Sequence, residues 1–133
     1  MRVLIADDNR DAADTLGMLL RLLGHEVRTA YDGFSALAIA RYFKPRFALL
    51  DIQMPGMNGG ELALHLRQQS GLEGIRIAAL SASDPHDPRL ARYDGAFDAF
   101  LAKPCDLDSL AELLAGRHSA LPTSGRPSFS DAS

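Results

Sequence analysis

Phe47-Ala48-Leu49-Leu50-Asp51-Ile52-Gln53-Met54-Pro55-Gly56-Met57-Asn58-Gly59 is the stretch on which the fold turns. Its first four residues are an unbroken apolar run, short and without polar alternation, the pattern of a strand covered on both faces. Pro55-Gly56 marks a turn. A helical pattern follows over Gly59 to Gln69, carrying Leu62, Leu66 and nearby Leu64. Strand, turn and helix together make one βα unit of a parallel sheet.

The same unit recurs in both directions along the chain. Val3 to Ala6 and Ile75 to Leu80 are further near-continuous apolar runs, and Glu26 to Ala30 and Asp98 to Ala102 are weaker ones, giving five expected strands. Between them, Ala12 to Leu23 places Leu16, Leu19, Leu20 and Leu23 at helical spacing, with Gly24 to end it. Phe34 to Phe43 keeps Leu37, Ala40 and Phe43 in register and stops before Pro45, because the residue preceding a proline disfavours the α region. Leu107 to Ala115 is helical through Leu110, Leu113 and Leu114. Between the fourth and fifth strands, Asp87 as N-cap with Pro88 at the first helical position predicts a brief helix ending at Gly95.

Composition bounds what such a chain does. Its 133 residues, 47% apolar and 23% charged, suit one ordinary globular domain. The net charge of −3 is spread without a basic run that could neutralise several phosphates, so direct nucleic-acid binding is not expected. One cysteine, Cys105, permits no internal disulfide and suits a reducing compartment. No apolar stretch reaches the roughly 18–20 residues of a spanning helix, and the start lacks a secretory pattern. A cytoplasmic protein with no membrane insertion is the expectation. After Gly116 the sequence turns Ser-, Thr-, Pro- and Gly-rich, so residues 1–116 are read as the domain and 117–133 as a flexible tail or linker.

Ligand sites of open parallel sheets lie outside the carboxyl ends of the strands. Asp7 and Asp8 follow the first strand, Asp51 the third, Ser81 the fourth and Lys103-Pro104 the fifth. Taken singly, Asp7-Asp8 would pass for a capping turn and Ser81 for an ordinary turn hydroxyl; the constellation points to a site. Three clustered carboxylates repel by about 4 kcal/mol per pair at 4 Å and an effective dielectric of 20, more than one lysine neutralises. Oxygen ligands without His or Cys favour a hard cation, Mg²⁺ above all. Phosphoryl transfer needs such a set: a nucleophilic oxygen from Asp51, metal ligation by Asp7 and Asp8, and donors to the phosphoryl oxygens from Ser81 and Lys103. His25, His65, His86 and His118 are scattered without metal-ligand spacing, and Met54 and Met57 read as gap fillers beside the acceptor.

From Met1 to Gly116 the chain resembles a response-regulator receiver domain of two-component signalling, similar to the chemotaxis-regulator type found stand-alone or in hybrid kinases. The resemblance rests on Val3-Leu4-Ile5-Ala6-Asp7-Asp8-Asn9, on Leu49 through Gly59, on Ala79-Leu80-Ser81-Ala82 and on Phe100-Leu101-Ala102-Lys103-Pro104, in order and at compatible spacing. It implies a flavodoxin-like (βα)5 doubly wound parallel sheet with strand order 2-1-3-4-5. It also implies that Asp51 takes a phosphoryl group from the phosphohistidine of a sensor histidine kinase or phosphotransfer protein. Asp8 and Asp51 would ligate Mg²⁺ with the Gln53 backbone carbonyl, Asp7 acting mainly through water. Ser81 and Phe100 would be the switch residues and the Lys103-Pro104 peptide would be cis. The departures are Ser81 where Thr is commoner, Phe100 in place of Tyr, and the prolines after the fourth strand.

Under this reading the phosphorylation state selects a downstream protein partner, the chain being a monomer or a weak phosphorylation-dependent dimer and no enzyme beyond its own phosphotransfer and autodephosphorylation. Gln53 and Ser83 are candidates for tuning phosphoryl lifetime. Two alternatives stand beside it. A Mg²⁺-dependent aspartyl-phosphate phosphatase would want an acid two residues after the nucleophile, where Gln53 stands; a receiver-like binding scaffold would not need the complete set of Asp7, Asp8, Asp51, Ser81 and Lys103. Too few residues follow Gly116 for a DNA-binding fold, so a stand-alone regulator and a receiver cut from a larger regulator or hybrid kinase are both open readings; the Met1 start leans to the first and the tail does not decide.

Overall fold

The computed structural model describes residues 1–81, 93, 95–103 and 106–116. Five strands, β1 (Arg2–Ala6), β2 (Glu26–Ala30), β3 (Phe47–Asp51), β4 (Arg76–Ser81) and β5 (Ala99–Ala102), form one sheet in the order β2-β1-β3-β4-β5. Every pairing is parallel, with Val3 opposite both Val27 and Phe47, Asp51 opposite Leu80, and Ser81 opposite Ala102. The expected order and class are therefore observed. The predicted helix from Asp87 and the segment 117–133 lie outside the described residues.

Strand periodicity divides the core in two. Leu4, Ala6, Ala48, Leu50, Ile77, Ala79 and Phe100 point to one face, under α2 (Gly33–Phe43) and α3 (Gly59–Gln68). Val3, Ile5, Phe47, Leu49, Ala78, Leu80 and Leu101 point to the other, under α1 (Arg10–Leu22) and α4 (Leu107–Leu114). All five residues of β3 are buried, so the central strand has no solvent face, as its apolar run requires. Burying a side chain of Leu or Ile size contributes about 1.5–3 kcal/mol, so these two layers fix the sheet on which the strand ends are mounted.

The helix ends follow local chemistry. Asn9 caps α1 by accepting from the Ala12 amide at 3.1 Å, which starts that helix two residues before Ala12. Asp32, Asn58 and Asp106 do the same for α2, α3 and α4 through the amides of Ser35, Glu61 and Ser109. At Asn58 the cap is reciprocal, the Glu61 carboxylate accepting from the Asn58 amide at 3.1 Å. Lys44 ends α2 in the left-handed region (φ 52°), the consequence of Pro45 denying it the α region.

β5 begins one residue later than its apolar run suggests, because Asp98 is used differently. Its carboxylate accepts from the Ile77 amide at 2.7 Å and from the Arg67 guanidinium at 2.9 Å, so a side chain takes the place of a ladder partner. Arg67 also donates to the carbonyls of Ala96 and Ile75. This junction binds α3 to the lead-in of β5. Replacing Asp98→Ala removes both acceptor contacts and is expected to lower the unfolding free energy by about 1–3 kcal/mol in urea titration, whereas exposed Asp108→Ala leaves it nearly unchanged. Equal midpoints for the two variants would contradict this account.

Candidate phosphoryl-acceptor site

β1 and β3 are neighbours whose connections leave in opposite directions, to β2 on one side and toward β4 on the other, so a crevice opens at their carboxyl ends. Asp7 sits there because its amide donates to the Ala30 carbonyl at 3.1 Å, continuing the strand edge by one residue. Asp51 is the last residue of β3, and the Ile52 amide, bonded to the Leu80 carbonyl, fixes how the chain leaves the sheet. Both carboxylates are nearly removed from solvent, at 1% and 6% exposure, while Asp8 is exposed. One carboxylate oxygen from each of Asp7, Asp8 and Asp51 lies within 4.8 Å of the others.

Lys103 reaches in from the end of β5. Its ammonium is 2.8 Å from Asp7 Oδ2 and 3.4 Å from Asp51 Oδ1, and its backbone amide donates to the Ser81 carbonyl at 2.9 Å. Asp7 Oδ1, the oxygen turned from Lys103, accepts from the Asn9 amide at 3.0 Å, and Asp51 Oδ1, which faces Lys103, also accepts from the Gln53 amide at 3.3 Å. Ser81, buried at the end of β4, lies one residue beyond the register partner of Asp51.

The electrostatics expose a deficit of positive charge. Burial, and then the Asp7 charge, push the Asp51 carboxyl up to about 7, with Lys103 opposing them. Burial works against the Lys103 ammonium, but the hydrogen bond to Asp7 and the Asp51 and Asp7 charges outweigh it and hold Lys103 above its ordinary value. Two buried acids share one cation, so without a further cation Asp51 holds its proton up to about neutral pH. The donor set fits a hard divalent ion: carboxylate oxygens with the exposed Asp8 at the mouth and no sulfur or imidazole.

The structure thus brings Asp7, Asp8, Asp51 and Lys103 to one point, with Ser81 on the adjoining strand end and Gln53 two residues past Asp51, its side chain exposed. Phe100 is buried rather than pointing to solvent, its ring 5.4 Å from that of Phe97. Ser83 and Pro104, and with the latter the expected cis peptide, lie outside the described residues. Met54 and Met57 are buried on the core face beneath the acceptor loop, as gap fillers would be. His65 is exposed on α3, whereas His25 is half-buried, its Nδ1 3.0 Å from the Met1 amino group.

Sequence reasoning missed the two glycines that open α3. A Cβ on Gly59 would stand 2.3 Å from the Asp51 carbonyl oxygen, and one on Gly60 2.3 Å from the Tyr93 ring. Adjacent glycines at a helix start, where they cost helical propensity, are the signal that could have revealed this close approach. Nothing in the sequence around Tyr93 announces it.

Residues 3–115 match the family model of the response regulator receiver domain, so the chain belongs to the receiver domains of two-component response regulators. Among curated proteins it is similar to the transcriptional regulatory protein PrrA of Mycobacterium tuberculosis, 39% identical over 114 residues, covering 86% of this chain and 47% of that protein. It is also similar to the response regulator MprA of Mycobacterium avium, 34% identical over 110 residues, covering 83% of this chain and 47% of that protein. The chain spans about half the length of these relatives. Among solved structures, the chemotaxis protein CheY4 of Vibrio cholerae superposes with a TM-score of 0.78 at 30% identity, over 86% of this chain and 96% of that one. A response regulator from Chloroflexus aurantiacus gives 0.78 at 28% identity, over 87% and 95%.

The raised Asp51 carboxyl has a sign that can be checked in metal-free protein. From its ordinary 3.8 up to about 7, the folded form holds a proton that the unfolded chain has released, so this group's contribution to stability falls as pH rises through that window. Asp51→Asn removes the penalty. In EDTA the variant is expected to gain stability over the parent progressively from pH 4 to pH 7, reaching on the order of 2 kcal/mol. A stability difference independent of pH would refute the charge deficit.

Proposed function

We propose that the chain is a phosphorelay receiver whose acceptor is Asp51. The observation that carries this reading is the shared position of Lys103 between the buried carboxylates of Asp7 and Asp51, at the strand ends of a receiver fold. In the reaction, an Asp51 carboxylate oxygen attacks the phosphorus of a phosphohistidine, the P–N bond breaks, and the imidazole leaves with its electron pair and takes up a proton. The product is an acyl phosphate, which water hydrolyses to the carboxylate and inorganic phosphate. Lys103 balances charge on the transferred group, and Ser81 supports it with a hydroxyl at the next strand end. Asp7, Asp8, Asp51 and the Gln53 carbonyl would hold Mg²⁺, which neutralises charge on the phosphoryl oxygens when bound.

The chemistry is self-directed, with Asp51 itself modified, so the protein acts as a switch and not as an enzyme on external phosphomonoesters. Its partners are a histidine kinase or phosphotransfer protein on the donor side and a protein that discriminates the two states on the output side. Because relatives about twice this length are transcriptional regulators, control of transcription through a further domain or partner is one output consistent with this role. No helix among the described residues is long and apolar enough to cross a membrane.

Incubation with acetyl phosphate and Mg²⁺ is expected to add a single acid-stable, alkali-labile phosphoryl group, seen as one mass increment. EDTA and Asp51→Ala should each abolish it, and Lys103→Met should slow it by about 10²-fold, the usual scale for losing one positioned charge. Undiminished incorporation in Asp51→Ala would overturn the assignment.

A further inference from the structure

Phe100 stands at the fifth-strand position where a phenol would offer a hydrogen bond, and it has none to give. A phenol is nevertheless present on the other side of the acceptor loop. Tyr93, on the connection from β4 to β5, lays its ring on Gly60, where a Cβ would be 2.3 Å from ring carbons, and its hydroxyl accepts from Asn58 Nδ2 at 3.4 Å. The same Asn58 amide caps α3 through its oxygen, and the neighbouring Gly59 packs directly on the Asp51 carbonyl. From the acceptor backbone to the phenol, the path is therefore a sequence of direct contacts: Asp51, Gly59, Asn58 and Gly60, Tyr93.

α3 meets this connection a second time two turns further on. Arg67 donates to the Ala96 carbonyl at 2.9 Å and pairs with Asp98 at 2.9 Å, while the Ala96 amide closes a turn onto the Tyr93 carbonyl at 2.8 Å. Two attachments about seven residues apart on one helix tie Tyr93, Ala96 and Asp98 to any movement of α3. Next to these residues stand Phe97 and Phe100, whose rings are in tilted contact. Glycine at position 60 is a poorer helix former than alanine, and the space it leaves is filled by the Tyr93 ring.

We infer that Tyr93 is a positioning residue of the acceptor loop, through which loading of Asp51 is transmitted by α3 to the β4–β5 connection. This rests on Asp51 being the acceptor. A shift of the Asp51–Gly59 backbone on loading displaces the seat formed by Asn58 and Gly60. By the reciprocity of linked equilibria, the occupancy of that seat alters how tightly the loaded state is held.

Fluorine NMR of the protein carrying 3-fluorotyrosine tests the transmission. The chain has three tyrosines. The Tyr93 signal is assigned by Tyr93→Phe, and Tyr42, 85% exposed on α2, serves as internal reference. Addition of Mg²⁺ with beryllofluoride, a phosphoryl mimic, is expected to move the Tyr93 resonance and leave Tyr42 in place, with no movement in Asp51→Asn. Gly60→Ala, and Tyr93→Leu should the first not fold, are expected to weaken beryllofluoride affinity about three- to tenfold, while Tyr93→Phe, which keeps the ring in its seat, restores most of it. A stationary Tyr93 signal in protein that loads at Asp51, or wild-type affinity in both variants, overturns the inference and leaves the acceptor assignment standing. Failure of the parent protein to load overturns the acceptor assignment and the inference with it.

Discussion

Two carboxylates buried within reach of one ammonium impose the condition that the rest of this molecule satisfies. Asp7 and Asp51 are each nearly inaccessible, and Lys103 lies between them at 2.8 and 3.4 Å. Carboxylate oxygens of the two acids lie within 4.8 Å of each other; like charges about 4 Å apart repel by about 4 kcal/mol at an effective dielectric of 20, and exposure to water, the usual relief, is denied to both. The arrangement persists because each group is mounted on a different strand of one sheet, β1, β3 and the end of β5, whose pairing cannot relax for one acid without disturbing two core layers. The fold sets the spacing and the spacing sets the charge deficit.

That deficit explains why the site is chemically poised. An acid whose carboxyl is pushed up to about 7 in the absence of a further cation is stabilised as carboxylate when a divalent ion arrives, so ion binding and readiness for nucleophilic attack are linked at one atom. Asp8, exposed at the mouth, completes a donor set reachable from solvent without opening the core. Under the proposed function an ion and a phosphoryl donor would both approach at the carboxyl edge of the sheet.

The legible parts of this structure are those governed by short-range rules. The apolar run ending at Leu50, the Gly24 and Pro45 stops, and the acids placed just past strand ends are all visible because strand burial, helix termination and crevice location each depend on a few adjacent residues. Periodicity places the start of α1 two residues late because Asn9 acts through its side chain, which periodicity does not register. The apolar pattern starts β5 one residue early because Asp98 belongs to a junction with Ile77 and Arg67 that is remote in sequence. The seat of Tyr93 on Gly60 spans 33 positions and depends on how α3 lies on the sheet, so no local pattern could announce it.

Consequences of a charge change at Asp51 follow from how Lys103 is attached. A carboxylate that becomes an acyl phosphate gains negative charge where positive charge is already short, which strengthens the pull on the nearest mobile cation. The Lys103 backbone amide is bonded to the Ser81 carbonyl and ties the ends of β4 and β5 together, so the ammonium answers by side-chain torsion from a fixed strand end. On the opposite flank of the acceptor, Gly59 contacts the Asp51 carbonyl with no side chain to absorb displacement. The event at one carboxyl group is therefore bracketed by two backbone attachments, one through β5 and one through α3, and both lead to the residues between Tyr93 and Lys103.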